Sequence, residues 1–263
     1  MTGVEQVLQR ERAIIAAGLA ALVLLSWFYL WQGAGMGMSA LDMTSLSLFP
    51  HLQEDMMGEM DPAWPVVAAM WWVMMVAMMT PSAAPLVLLY GRVLRHHAAA
   101  DANAGIPSLF VAAGYLSVWL VFSLVAASLQ EALLGAGHLS GMMLWSKSAA
   151  LSATVLAAAG AYQLSPLKQA CLAQCRSPVQ FLTRYWRPGR AGAFLMGVRH
   201  GAYCVGCCWL LMALLFVGGV MNLLWIAALT SIVLVEKMSP TGDRIGKVLG
   251  VVLIAWAAAT LLV

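Results

Sequence analysis

Long apolar segments dominate this sequence, and they constrain its fold more than any other feature. A helix needs about 20 predominantly apolar residues to span the hydrocarbon layer of a membrane. None of the apolar segments shows the strict alternation of a membrane β-strand. We therefore predict an all-α fold, a polytopic transmembrane bundle of about seven helices that forms one domain over residues 1–263. The predicted spans are residues 13–31, 64–90, 107–134, 147–164, 191–217, 219–235 and 245–263.

Charged residues are too scarce for a water-soluble domain of this length. Apolar residues make up 62% of the chain and charged residues 10%, against roughly 45–50% and about 25% in a typical globular domain. This composition excludes a soluble fold, a disordered chain and a nucleic-acid-binding protein. The composition instead predicts that the chain contacts the lipid bilayer.

The positions of the basic residues predict the orientation of the bundle. Of the 14 Lys and Arg residues, all but Lys147 lie in the N-terminal tail, in every second loop, or at the adjoining ends of the spans. Loops rich in Lys and Arg remain in the cytoplasm. We therefore expect a multi-pass protein of the bacterial inner membrane, with its N-terminus in the cytoplasm and its C-terminus outside. Residues 165–190 then form a basic cytoplasmic loop, and residues 32–63 form an acidic, methionine-rich outer loop.

All five cysteines lie close together in the sequence, and most share one helical face with a histidine. At about 100° per residue, His200, Cys204 and Cys207 fall on one stripe of the fifth span, with Cys208 beside it. Cys171 and Cys175 lie in the preceding loop. Their spacing of four residues puts both on one face of a helix.

Thiols in this pattern are typical ligands of soft metals. Thiolate and thioether sulfurs select Cu(I), and thiolates also bind zinc. Cysteines on the cytoplasmic side remain reduced, which favours metal binding over structural disulfides. The sequence therefore predicts a Cu(I) site, with zinc as an alternative metal. A second interpretation is that the cysteines are small apolar residues used for packing.

Methionines extend the pattern toward the outer side. Met74 and Met78 share one face of the second span, and a larger group continues into the outer loop. Thioethers bind Cu(I) without deprotonation, but methionine also fills gaps in kinked bundles. The loop group, with nearby acids and a histidine, predicts a surface that collects metal or an ordinary solvated loop. It comprises Met36, Met38, Met43, His51, Glu54, Asp55, Met56, Met57, Glu59, Met60 and Asp61.

Two further features have more than one interpretation. Glu236, at the end of the sixth span, is either an interfacial partner of Lys237 or an oxygen ligand and proton acceptor beside the cysteines. Gly197 and Gly201 have the spacing that allows close helix contact. They predict packing either within the bundle or in a homo-oligomer.

Three segments of the chain resemble a known family. They begin at Trp71, at Ser165 and at Gly201, and they read WWVMMVAMMTP, SPLKQACLAQCRSP and GAYCVGCCWLLM. The third segment continues through Phe216 to Glu236 and Lys237. The chain resembles an uncharacterised bacterial family of predicted metal-binding integral membrane proteins. This resemblance implies metal binding in a membrane, and it assigns the matching residues to the site. These are His200, Cys204, Cys207, Cys208, Cys171, Cys175, Met74, Met78 and Glu236.

Three functions agree with these features. The first is transport of Cu(I), or its delivery to a partner metallochaperone or metalloenzyme. The second is a membrane thiol–disulfide oxidoreductase that uses Cys204 and Cys207, and the third is an accessory subunit of a larger metalloenzyme complex. The sequence contains no nucleotide-binding loop, serine-hydrolase elbow or zinc-protease motif. An ATP-driven pump or a hydrolase is therefore disfavoured, and we expect the chain itself not to be an enzyme.

Overall fold

The computed structural model describes residues 3–35, 44, 63–97, 105–141 and 144–262. Most of these residues are helical, and Leu139 and Ser146 form an isolated antiparallel β-bridge. The predicted all-helical fold is therefore confirmed for this part of the chain. The helices are α1 Gly3–Trp31, α2 Trp64–His97, α3 Gly105–Gly135, α4 Ala149–Leu164, α5 Pro166–Arg176, α6 Pro178–Tyr185, α7 Gly189–Ala213, α8 Leu215–Gly218, α9 Leu223–Met238 and α10 Gly242–Thr260.

Four segments in the described residues are long and apolar enough to cross a membrane. They are Ala13–Trp31, Trp64–Leu94, Ser108–Gly135 and Gly189–Gly218. Of the other predicted spans, α4 and α9 are 16 residues long, shorter than the roughly 20 residues of a full span. Helix α10 begins with a charged turn that contains Asp243. Seven spans and the orientation of the chain therefore stay predictions. The methionines and acids of the predicted outer loop lie outside the described residues.

Side-chain caps explain where several helices begin. The hydroxyl of Ser148 accepts a hydrogen bond from the Leu151 amide at the start of α4. Ser165 ends α4 and caps α5, and Pro166 then occupies the first turn of α5. Asn222 accepts hydrogen bonds from two amides at the start of α9. Because caps satisfy otherwise unpaired amides, these residues divide the second half of the chain into short helices.

Two pairs of helices approach closely at glycine. Helix α3 packs along α7, where Gly114 and Gly197 lie against the backbone of the opposite helix. Helix α4 packs on α10 in the same way, and a Cβ at Gly160 would lie 2.7 Å from the Gly250 carbonyl oxygen. Gly197 and Gly201 therefore use their small size inside the protein, against α3. A homo-oligomer stays a prediction.

Helix α2 supplies much of the buried core and is interrupted by two prolines. Pro81 and Pro85 lie inside the helix, where each removes a backbone hydrogen bond. The Met79 carbonyl, two residues before Pro81, accepts hydrogen bonds from the hydroxyls of Ser82 and Tyr115. The hydrogen bond from Tyr115 holds α2 against α3 close to the centre of the protein.

Adding a methyl group at the α3–α7 contact is expected to destabilise the fold. In Gly197→Ala the new Cβ would meet the Val111 carbonyl of α3, and such overpacking lowers the free energy of unfolding by about 1–3 kcal/mol. Gly18→Ala is the matched control, because no atom lies within 4 Å of a Cβ built at Gly18. Thermal unfolding of the purified variants measures the difference. Equal melting temperatures for the two variants would contradict the close packing of α3 on α7.

Candidate metal centre

The three α7 thiols that were predicted to bind metal are buried inside the helix bundle. Cys204, Cys207 and Cys208 are each at most 1% exposed, and His200 lies one turn before them on α7. All three thiols are free. Because α7 packs against α3, α5 and α9, this sulfur-rich face points toward the other helices. The stripe predicted from helical spacing is therefore an interior surface.

Cys204 is the centre of a polar contact between four helices. The Nζ of Lys237, from α9, donates to the Cys204 Sγ at 2.8 Å, and it also donates to the Ser82 hydroxyl of α2 at 3.2 Å. The Tyr115 hydroxyl, from α3, lies 3.0 Å from the same sulfur. Lys237 is 7% exposed. A buried ammonium at this distance stabilises negative charge on the sulfur, because charge-assisted hydrogen bonds strengthen in a low-dielectric interior.

The remaining thiols surround Cys204. The thiols of Cys207 and Cys208 donate to the Cys204 carbonyl at 3.1 and 2.9 Å. Cys175, from α5, forms side-chain hydrogen bonds with Cys204 and Cys207. We call Cys175, Cys204, Cys207 and Cys208 the thiol cluster. It brings together cysteines from the two groups that are separate in the sequence.

The thiols are arranged here as hydrogen-bonding groups. In the described part of the chain, no three or more His, Cys, Asp or Glu side chains are placed so that they could hold a metal ion. The thiols of Cys207 and Cys208 both donate to the Cys204 carbonyl. A metal ligated by these sulfurs would have to displace the thiol protons.

Charged contacts hold α5 against the thiol cluster at both of its ends. Near the start of α5, Lys168 donates to the Oε2 of Glu236 at 2.7 Å, and Gln163 donates to the Oε1 at 2.8 Å. Near its end, Arg176 pairs with Asp243 and donates to the Ser239 carbonyl at 2.6 Å. Lys168 and Glu236 are each 1% exposed. Helix α5 is thus fixed beside α9, with Cys171 and Cys175 between the two contacts.

The two α5 thiols hold their protons more tightly than free cysteine does. Burial, followed by the nearby Cys207, raises the pKa of Cys171. Hydrogen bonds with Cys204 and Cys207, followed by burial, raise the pKa of Cys175 well above its ordinary value. Both side chains are therefore thiols at neutral pH. Metal binding at either sulfur would release a proton and become stronger as the pH rises.

The other predicted site residues occupy the same region but make different contacts. The imidazole of His200 is buried between Tyr115 and Phe181, and no hydrogen-bonding partner of its Nδ1 is found among the described residues. Met74 and Met78 are fully buried in the core cluster that includes the α7 thiols. Both carboxylate oxygens of Glu236 carry hydrogen bonds. Metal ligation by any of these residues stays a prediction.

Sequence reasoning missed the role of Lys237. The sequence analysis used Lys237 as a cytoplasmic basic residue and as a neighbour of Glu236. In the structure, Glu236 pairs with Lys168, and Lys237 donates to Cys204. The signal was available, because adjacent residues of a helix do not face each other. An acid and a base next to each other at the end of α9 must therefore contact different neighbours. Tyr115 had no comparable signal in the sequence.

The fold and the cluster define a class of protein. It is an all-helical chain with apolar helices long enough for a membrane and a buried group of soft sulfur atoms beside a lysine. The family model of PpoB2, a copper chaperone, matches residues 68–260, and the chain therefore belongs to this family. The match includes all the predicted site residues. No curated protein and no solved structure shows significant similarity to the chain.

Breaking the buried ion pair is expected to destabilise the region around α5. Glu236→Gln leaves the Lys168 ammonium buried without a counter-charge, which lowers the free energy of unfolding by about 3–5 kcal/mol. Asp243→Asn makes the same chemical change in the Arg176 pair, where the Asp243 side chain is 52% exposed. The expected loss there is at most about 1 kcal/mol. Thermal unfolding of both variants checks the difference, and equal losses would show that the Lys168–Glu236 pair is not buried.

Proposed function

We propose that this protein binds Cu(I) at the α7 thiols of Cys204, Cys207 and Cys208 and delivers it to a partner metalloenzyme or metallochaperone. The observation that carries the proposal is the position of these three thiols together in the buried centre, with Cys175 of α5 beside them, within a chain of a copper chaperone family. Thiolates are preferred ligands of Cu(I). Cys204, Cys207 and Cys208 hold the ion, and His200 is a further candidate ligand one turn away.

Lys237 supports Cu(I) binding through its charge. Three thiolates and one Cu(I) leave a net charge of about −2, which is unfavourable in a buried site unless an opposite charge lies nearby. The ammonium of Lys237 already contacts the Cys204 sulfur and is held by Ser82. It would remain beside the thiolates after the metal binds. The ammonium would therefore reduce the net charge of the copper-loaded site to about −1.

The membrane is the proposed setting for this chemistry. Four apolar helices of sufficient length support insertion into a membrane, and the distribution of the basic residues supports the inner membrane with the thiol side in the cytoplasm. Met74 and Met78, on the buried face of α2, would offer thioethers to Cu(I) on the path from the outer side. Transport across the membrane is the extension of this proposal, with the outer methionines as its first binding groups.

Metal content tests the proposal directly. We expect the purified protein, reduced and reconstituted with Cu(I), to retain a stoichiometric amount of copper by mass spectrometry. The variant Cys204→Ser/Cys207→Ser/Cys208→Ser should retain none, because serine hydroxyls do not replace thiolates for a soft metal. Ala202→Ser, at an exposed position of the same helix, is the matched control and should bind as the unchanged protein does. Copper-free protein, or copper that survives in the triple variant, would overturn the proposal.

Removal of the Lys237 charge is expected to weaken copper binding without abolishing it. Lys237→Met keeps the length of the side chain and removes one charge-assisted hydrogen bond, worth about 1.5–3 kcal/mol. The Cu(I) affinity should then fall about 10- to 100-fold in a chelator competition assay. Lys247→Met, an exposed position on α10, is the control and should leave the affinity unchanged. If both variants bound copper equally well, Lys237 would have no part in holding the charge of the site.

A further inference from the structure

The thiols of α7 are too deeply buried for a soluble partner to contact them directly. Cys204, Cys207 and Cys208 are at most 1% exposed, whereas Cys171 and Cys175 on α5 are both partly exposed. A chaperone must exchange its metal with a ligand of another molecule. Because an attacking thiol must reach the bound metal, the route to the α7 thiols passes through the helix that covers them.

Helix α5 is placed to provide that route. Cys175 forms hydrogen bonds with Cys204 and Cys207. Cys171, one turn earlier, lies beside α7, with its Sγ 3.0 Å from a Cβ built at Gly206. The exposed positions of α5 are Pro166, Leu167, Ala170 and Ala173, and Gln174 and Arg176 are partly exposed. One helix thus contacts the buried sulfurs on one side and is uncovered on the other.

Contacts at both ends of α5 hold its two thiols beside the α7 thiols. The buried pair of Lys168 and Glu236 fixes its first turn, and Arg176 fixes its last turn to the segment after α9. Ser165, whose side chain caps α5, is followed by Pro166, and Ser177 is followed by Pro178 at the start of α6; these two pairs separate α5 from α4 and α6. The helix is therefore an independent short element that holds two cysteines over the cluster.

We propose that Cys171 and Cys175 are exchange ligands, through which Cu(I) passes between the buried α7 thiols and the thiol of a soluble partner. This inference rests on the proposed function. In each step one sulfur replaces another on the metal, and copper remains Cu(I). The incoming thiol releases its proton to water, and the departing thiolate takes one up. Cys204 binds the ion in the resting protein, Cys175 receives it next, and Cys171 with Cys175 presents it to the partner.

A transfer assay tests this proposal. Copper-loaded protein is mixed with bicinchoninate, a soluble Cu(I) chelator, and the rate of colour formation is measured. In Cys171→Ser/Cys175→Ser we expect unchanged copper content, while the transfer rate falls about tenfold or more because access of the attacking ligand sets the rate. Ala173→Ser, an exposed position between the two cysteines, should transfer copper at the normal rate.

The outcomes separate this proposal from the proposed function. A double variant that transfers copper at the normal rate would overturn the exchange role. A double variant that retains no copper would also overturn it, because Cys171 and Cys175 would then be holding ligands. In both cases the unchanged protein still binds copper, and the proposed function stands. If the unchanged protein binds no copper, the proposed function itself fails.

Thiol labelling of the unchanged protein gives a second test that needs no variant. The metal-free protein is treated with a small water-soluble maleimide at a pH of about 9, near the ordinary thiol range, and the labelled peptides are followed by mass spectrometry. We expect Cys171 to react first. Cys204 should react slowly although Lys237 stabilises its thiolate. Reaction of Cys204 as fast as Cys171 would overturn the proposal, since a partner could then reach the buried thiols directly.

Discussion

The contact between the Lys237 ammonium and the Cys204 sulfur, 2.8 Å apart and buried, is the interaction on which the centre of this protein depends. An ammonium in the interior is strongly unfavourable unless it is hydrogen-bonded and its charge is balanced. Ser82 from α2 provides one acceptor, and Cys204 from α7 provides the other. Tyr115 from α3 completes the group through the same sulfur. Four helices therefore meet around a buried ammonium that requires a negative counter-charge. A cluster of thiolates with bound Cu(I) would provide that charge.

The second charge at the end of α9 organises the surface of the site. Glu236 and Lys237 are adjacent in the sequence and point to different neighbours: Glu236 binds Lys168 of α5, and Lys237 binds the thiol cluster. One short segment thus joins the helix that covers the site to the sulfurs inside it. A change in the charge of the cluster, such as loss of thiol protons when copper binds, acts on Lys237 directly.

Residue spacing predicted the α7 face and the all-helical fold, because the 3.6-residue period applies wherever a helix forms. It also placed Cys171 and Cys175 on one face, and α5 is a helix at that position. Spacing does not report which helices become neighbours. The approach of Cys175 to Cys204 and the pairing of Lys168 with Glu236 depend on tertiary packing, so the sequence showed the ligand types without their partners. Lys237 was missed because its charge was counted for topology and its direction on α9 was not considered.

The central claim is that sulfur atoms of the thiol cluster bind Cu(I), and X-ray absorption at the copper edge of the loaded protein tests it most directly. The account predicts an edge typical of Cu(I) and a first coordination shell dominated by sulfur. That shell should disappear in Cys204→Ser/Cys207→Ser/Cys208→Ser, whereas Ala202→Ser should leave it unchanged. A first shell of nitrogen and oxygen atoms without sulfur would contradict the account, because the metal would then lie away from the cysteines that converge on Cys204.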